Sequence, residues 1–167
     1  MQAQYTSDKP SREASQFLTF YLGGEAFGVD ILKVQEIRGW EKVRPLPDLP
    51  AYVKGVLDLR GTIVPIVDLR MRFGNPDPAY ESTTVVVIVS VHTAAGEGQL
   101  IGMVVDGVSD VLDTSRIEIK PPPGSVAGIA GRYLVGMVSL DQGMVVLVNV
   151  DRILSEQEFS AAFDGQS

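Results

Sequence analysis

Side chains able to do chemistry at neutral pH are few in this sequence, and their spacing suits it poorly. His92 is the single imidazole, and no cysteine is present to supply a thiolate, a metal ligand or a disulfide. A Ser-His-Asp arrangement needs a base oriented by a third group. HTAAGEG, residues 92–98, reads as a flexible hairpin tip, so His92 is expected to be a solvated loop residue. Zinc needs at least three ligands of His, Cys or carboxylate type, and that supply is missing. Asp106, Asp110 and Asp113 in DGVSDVLD invite a calcium reading. The loop pattern of alternating oxygens with a fixed glycine and a closing glutamate is not met, which leaves exposed strand-end acids. Asp58 and Asp68 could share acid-base work on a glycosidic bond. No aromatic sugar platform stands around them in sequence, and strand-end capping or pairing with Arg60 and Arg70 suffices. Neither G-x-x-x-x-G-K-[ST] nor G-x-G-x-x-G occurs, so no phosphate cradle can be argued. These residues describe a surface, with no catalytic residue, metal or cofactor expected.

The elements that carry them read as strands. GVLDLRGTIVPIVDLR, Gly55 to Arg70, is two β-branched runs around an Arg60-Gly61 break, the pattern of a hairpin. GMVSLDQGMVVLVNVDR, Gly136 to Arg152, repeats its order of glycine, strand, polar turn, longer strand and acidic-basic exit. Other landmarks recur in the same order: Glu25–Ile37 aligns with Gln99–Val111, placing Gly28 on Gly102, Val34 on Val108 and Glu36 on Asp110. Phe17–Leu22 and Glu25–Ile31 form an opening hairpin around Gly23-Gly24. Leu32–Gly39 suits either a short helical turn or a twisted strand. Pro45, Pro47 and Pro50 force extended chain, and Pro65 inside a strand predicts an edge or bulged position. Thr83–Val91 is apolar on successive residues, hence a strand buried on both faces. Ile153, Leu154, Phe159 and Phe163 are spaced for an amphipathic helix over 151–164, with a capping box at Ser155–Glu158.

The expected fold is all-β: two small barrels packed on each other, because one four- or five-stranded sheet has exposed edges and too little core. Residues 1–15 are expected to be a polar mobile tail before a single domain at 16–167, with repeats at about 16–74 and 83–152. A net charge of −7 argues against broad nucleic-acid binding and against adhesion to anionic membranes. The N-terminus has no apolar core of a signal peptide, and no apolar run reaches the roughly 18 residues of a membrane span. A soluble, cytoplasmic protein is expected.

GVDILKVQEIRG, GVLDLRGTIVPIVDLR and GMVVDGVSDVL together closely resemble the CheW family of bacterial chemotaxis coupling proteins, and the similarity runs from about Phe17 to Leu154. The resemblance implies two pseudo-symmetric, five-stranded SH3-like barrels around a shared apolar core. It implies a non-enzymatic adaptor, free of cofactors, that joins transmembrane chemoreceptors to the histidine kinase CheA through its regulatory domain. It also implies recruitment to membrane-associated receptor arrays without insertion into the membrane. Carried onto this chain, receptor binding falls to Val34, Glu36, Gly102, Val108 and Val111, and kinase contact or coupling to Gly55, Arg60 and Gly61. Two other readings stand beside it: a regulatory module of a larger kinase or receiver-containing protein, and a small enzyme using Asp58 and Asp68. His92–Gly98, Pro121–Gly124 and the stretch after them depart from the family pattern.

Overall fold

The computed structural model describes residues 15–93, 96–122, 124–126, 129–155 and 158. Its strands are β1 (Gln16–Leu22), β2 (Glu25–Asp30), β3 (Val34–Gly39), β4 (Val53–Leu59), β5 (Thr62–Asp68), β6 (Val85–Thr93), β7 (Gly96–Val105) and β8 (Gly107–Asp113). A short pair follows, β9 (Ser125–Val126) and β10 (Ile129–Ala130), and then β11 (Leu134–Leu140) and β12 (Gly143–Val148). One sheet runs in the order β11-β12-β2-β1-β8 and the other β4-β5-β7-β6-β3.

The orders match strand for strand, and each barrel takes strands from both halves of the chain. After β2 the chain leaves the first sheet and enters the second as β3; after β7 it leaves the second and enters the first as β8. In each barrel a hairpin from one half then lies parallel to a strand of the other: β12 beside β2 and β5 beside β7. These pairings put Leu147 opposite Gly28 and Ile66 opposite Gly102. Neither half closes its barrel alone.

Three apolar cores result. Phe17, Val138, Val145 and Leu147 fill the first barrel. Leu59, Val64, Ile66, Val86, Ile88 and Val104 fill the second. A larger cluster, including Phe20, Phe27, Val29, Val67, Val87, Val89, Ile101, Met103, Val146 and Ile153, lies between them. Successive residues of β6 therefore alternate between the second barrel (Val86, Ile88) and the shared core (Val87, Val89), which is why that run is apolar throughout. Phe20 and Phe27 stack in the shared core at 5.8 Å between ring centroids.

Gly102 shows how tightly the second barrel is filled. A β-carbon there would stand 2.6 Å from Ile66 Cδ1 and 2.8 Å from Val86 Cγ1. Ile66 Cδ1 is the end of a flexible side chain, but Val86 is β-branched, stiff and buried, so Gly102→Ala should cost about 1–3 kcal/mol. The expected result is a lower urea midpoint with an unchanged slope.

The structure changes some of these expectations and bears out others. The stretch after β2 is both alternatives in turn, a 3-10 turn at Ile31–Lys33 followed by β3. Pro65 does not lie on an edge, since β5 has β4 on one side and β7 on the other. Val56 donates its N–H away from β5, to the Arg44 carbonyl, so Val56 and Pro65 form a non-hydrogen-bonded pair in which no acceptor waits for the missing N–H, and the β5–β7 ladder begins only at Ile66. His92 sits within β6 and not at a tip, with its backbone N–H donated to Asp151. The turn after β5 is one helical turn, Leu69–Arg72. Ser155 and Glu158 make the reciprocal bonds of a capping box, at 2.9 and 3.1 Å. The tail at 1–14 and most of the helix expected over 151–164 lie outside the described residues.

Candidate functional site

The predicted receptor residues map mainly to β3 and β8, the last strands of the two sheets and equivalent in order. Each carries a bulge beside the predicted valine. On β3, Val34 pairs with Val89 and Glu36 with Ile88, leaving Gln35 as the extra residue. On β8, Val108 pairs with Phe20 and Val111 with Leu18, so Ser109 and Asp110 oppose Thr19 alone. The Thr19 hydroxyl donates to the Asp110 carbonyl at 2.7 Å and holds that bulge in place. Bulges re-aim side chains and blunt an edge against further strand pairing.

Val34 and Val108 are half-buried and pack on the same shared core, one from each edge strand. Val111 is 50% exposed, an apolar side chain with half its surface still in water. Gly102 is different. It is enclosed by Ile66, Val86 and Ile88, so it shapes the barrel beneath and presents no surface of its own. Two exposed apolar residues on the same run were not singled out from sequence: Ile37 at 43% and Leu32 at 81% exposure. The i, i+3 spacing of Val34 and Ile37 was visible, but the bulge at Gln35 that puts both on one face of β3, opposite Val89 and Val87, was not.

Arg60 and Glu36, placed by resemblance in separate sets, meet. Arg60 Nη2 lies 2.8 Å from Glu36 Oε1, and Arg38 Nη1 is 3.7 Å from Glu36 Oε2. Arg60 and Gly61 form the two-residue turn between β4 and β5, both with positive φ, 50° and 87°. That is the turn type suited to a tight hairpin, and Asn or Gly would fill its first position with least strain. The equivalent turn at Asp141-Gln142 has no positive φ at either residue. Asp58 accepts the Gly61 N–H at 2.9 Å. Gly55, at the other end of β4, has φ +146°, and a β-carbon there would fall 2.0 Å from the Arg44 carbonyl oxygen. Its role is to let Arg44 pair against Val56.

Asp58 and Asp68 do not form a carboxylate pair. Asp58 is opposite Ile63 near the turn, and Asp68 lies beyond Val67, which is opposite Val53. At about 3.4 Å per residue the two stand roughly 17 Å apart along the hairpin, far outside the roughly 5–9.5 Å of a glycosidase. Asp68 is fully buried and engages Arg70 with both oxygens, at 3.0 and 2.8 Å. Arg70 also donates to Asp106 at 2.9 Å and to the Ala79 carbonyl, and Tyr80 donates its hydroxyl to Asp68. The guanidinium lies 4.7 Å from the Tyr80 ring centroid. Burial works against the Arg70 charge, but its hydrogen bonds to Asp68 and Asp106 outweigh that and raise its pKa. Burial and the bond to Asp68 raise the Tyr80 phenol, keeping it a donor. Asp113 is exposed and accepts the Ser115 N–H, which holds its carboxyl below the usual range. Among the described residues no three His, Asp or Glu side chains are grouped to hold a metal ion. No helix among them is long and apolar enough to cross a membrane.

Two exchanged barrels with bulged edges and an ion pair linking an edge strand to a hairpin turn define a double β-barrel module. The family of CheW-like domains matches residues 16–158. The chain is 43% identical to the chemotaxis protein CheW of Klebsiella aerogenes over 87% of its own length and 84% of that protein's. It is 33% identical to the CheW of Treponema pallidum, over 87% and 85%. Its fold is similar to that of the scaffolding protein TtCheW of Thermoanaerobacter tengcongensis, at a TM-score of 0.75 and 25% identity, covering 93% of this chain and 96% of that one. The chain belongs to the CheW-like family.

Proposed function

We propose that this chain is a non-enzymatic adaptor that couples membrane chemoreceptors to the histidine kinase CheA, in the cytoplasm at receptor arrays. The apolar strip of Val34, Val108 and Val111 would take the tip of a receptor's helical hairpin, with Glu36 at its border and Gly102 supporting it from inside the second barrel. The turn at Arg60-Gly61, set by Gly55 at the base of β4, would contact or couple to the kinase's regulatory domain. We read residues 16–74 and 83–152 as copies of one unit within a single domain at 16–167, preceded by a tail.

The observation that carries this reading is the Arg60–Glu36 ion pair, which joins the proposed receptor edge to the proposed kinase turn. A pair whose arginine is 75% exposed adds little stability, and asparagine or glycine would hold this turn with less strain, so an arginine here is better explained by a partner than by folding. The test is co-purification with a receptor hairpin fragment and the CheA regulatory domain. A ternary complex is expected, and failure to bind either partner would sink the proposal.

Arg60→Asn should raise stability slightly, by up to about 1 kcal/mol, because asparagine accepts the left-handed region more readily. Receptor-dependent kinase activity should fall in the same variant. Unaltered activity would remove Arg60 from the mechanism.

A further inference from the structure

Each of the two places where the chain passes between barrels is fastened by a carboxylate with the same two jobs. At the β7–β8 crossing, Asp106 accepts the Gly23 N–H at 2.7 Å and the Arg70 guanidinium at 2.9 Å. At the β2–β3 crossing, Asp151 accepts the His92 N–H at 2.8 Å and pairs with Lys33 at 3.4 Å. Two of the three positions correspond, and the third, Lys33, falls one residue past the place of Asp106. Thr19 and Ile88 lie opposite Gly28 and Gly102, which makes them equivalent, and Gly23 and His92 follow them at equal distance. Asp68 and Asn149 each cap the turn that leaves a hairpin, and Arg70 and Asp151 are the capped residues.

The polarity is reversed between the two. In the first clamp the crossing supplies the acid, Asp106, and the hairpin exit supplies the base, Arg70. In the second the crossing supplies the base, Lys33, and the hairpin exit supplies the acid, Asp151. The first is buried on the arginine side, at 3% exposure; in the second both side chains are about one-third exposed, at 33% and 34%. The crossings lead directly into β8 and β3, the strands that carry Val108, Val111, Val34 and Glu36.

We infer that Lys33–Asp151 and Asp106–Arg70 are paired positioning clamps that fix the spacing of the two edge strands, and that either polarity serves. The link to partner binding rests on the adaptor reading above; the spacing itself does not. The chain has no cysteine, so spin labels can be attached at Gln35→Cys and Ser109→Cys, both exposed bulge residues on β3 and β8. Distance distributions are then compared for the otherwise unaltered chain, for Lys33→Glu, and for Lys33→Glu with Asp151→Lys.

The expected result is a shifted or broadened distribution in Lys33→Glu and recovery in the double variant. There the carboxylate introduced at the crossing can accept the His92 N–H as Asp106 accepts that of Gly23. Affinity for a receptor hairpin fragment should fall about fivefold in the single variant and recover with it. An unchanged distribution in a folded Lys33→Glu overturns the inference, and so does a change that the double variant fails to reverse. Should Lys33→Glu not fold, Lys33→Gln, which removes the charge without adding repulsion, replaces it in the same comparison. If the unaltered chain binds no receptor fragment, the adaptor reading fails, while the distance comparison still decides the clamps.

Discussion

Arg70→Ala is expected to lower stability by about 3–5 kcal/mol, because it strands two carboxylates that were arranged around one cation. Asp68 is fully buried and keeps only the Tyr80 hydroxyl and the residue-70 N–H as donors when its bidentate partner is removed. Asp106 loses the partner that joins the turn at Gly23 to the second barrel. In a chain of this size each kcal/mol moves the melting temperature by about 2–4 °C, so a fall of roughly 10 °C is expected by calorimetry. The equivalent site suggests the repair. Asn149 occupies the place of Asp68, caps its turn at 3.1 Å and needs no arginine. Asp68→Asn combined with Arg70→Ala removes the buried charge while keeping the cap, so it should regain at least about 1 kcal/mol over the single variant. A double variant less stable than Arg70→Ala would show that the loss comes from the missing arginine packing against Tyr80 and not from the stranded acid.

Much of this architecture is written in local pattern, and what is not written there is long-range. The run from Val85 to Val91 announces a strand covered on both faces because adjacent residues enter different cores. The glycine landmarks also carry over: Gly28 and Gly102 face Leu147 and Ile66 across equivalent parallel ladders. Periodicity is silent on which strand a strand pairs with. The exchange of β3 and β8 between barrels, the meeting of Arg60 with Glu36, and the burial of Gly102 all depend on pairing between distant segments. Pro65 misled for a related reason. A missing N–H is harmful only where an acceptor waits for it, and Val56 is turned away from Pro65, with its N–H on the Arg44 carbonyl. His92 looked like a tip because Ala and Gly follow it, yet a carboxylate 59 residues away holds its N–H. The Asp58–Asp68 pair failed on strand geometry that ten residues of spacing conceal.

Val34→Asp should weaken binding of a receptor hairpin fragment by about a hundredfold or more, the size of effect seen when a buried apolar anchor is lost and a charge must be desolvated in its place. Val34 is held in the sheet by its backbone pairing with Val89, which the substitution leaves intact, so the fold should survive with a modestly lower melting temperature. Its side chain also packs on the shared core, and that makes a second variant necessary. Val111→Asp serves, because Val111 is 50% exposed and a carboxylate there keeps its water in the free protein. It should cost almost no stability and still weaken the complex, since binding would have to strip that water away. Titration calorimetry on both variants separates the cases. If Val34→Asp unfolds while Val111→Asp binds normally, the valines belong to the core alone and the receptor surface lies elsewhere. If both bind weakly while Val111→Asp melts with the unaltered chain, one apolar strip across the two edge strands is the docking surface.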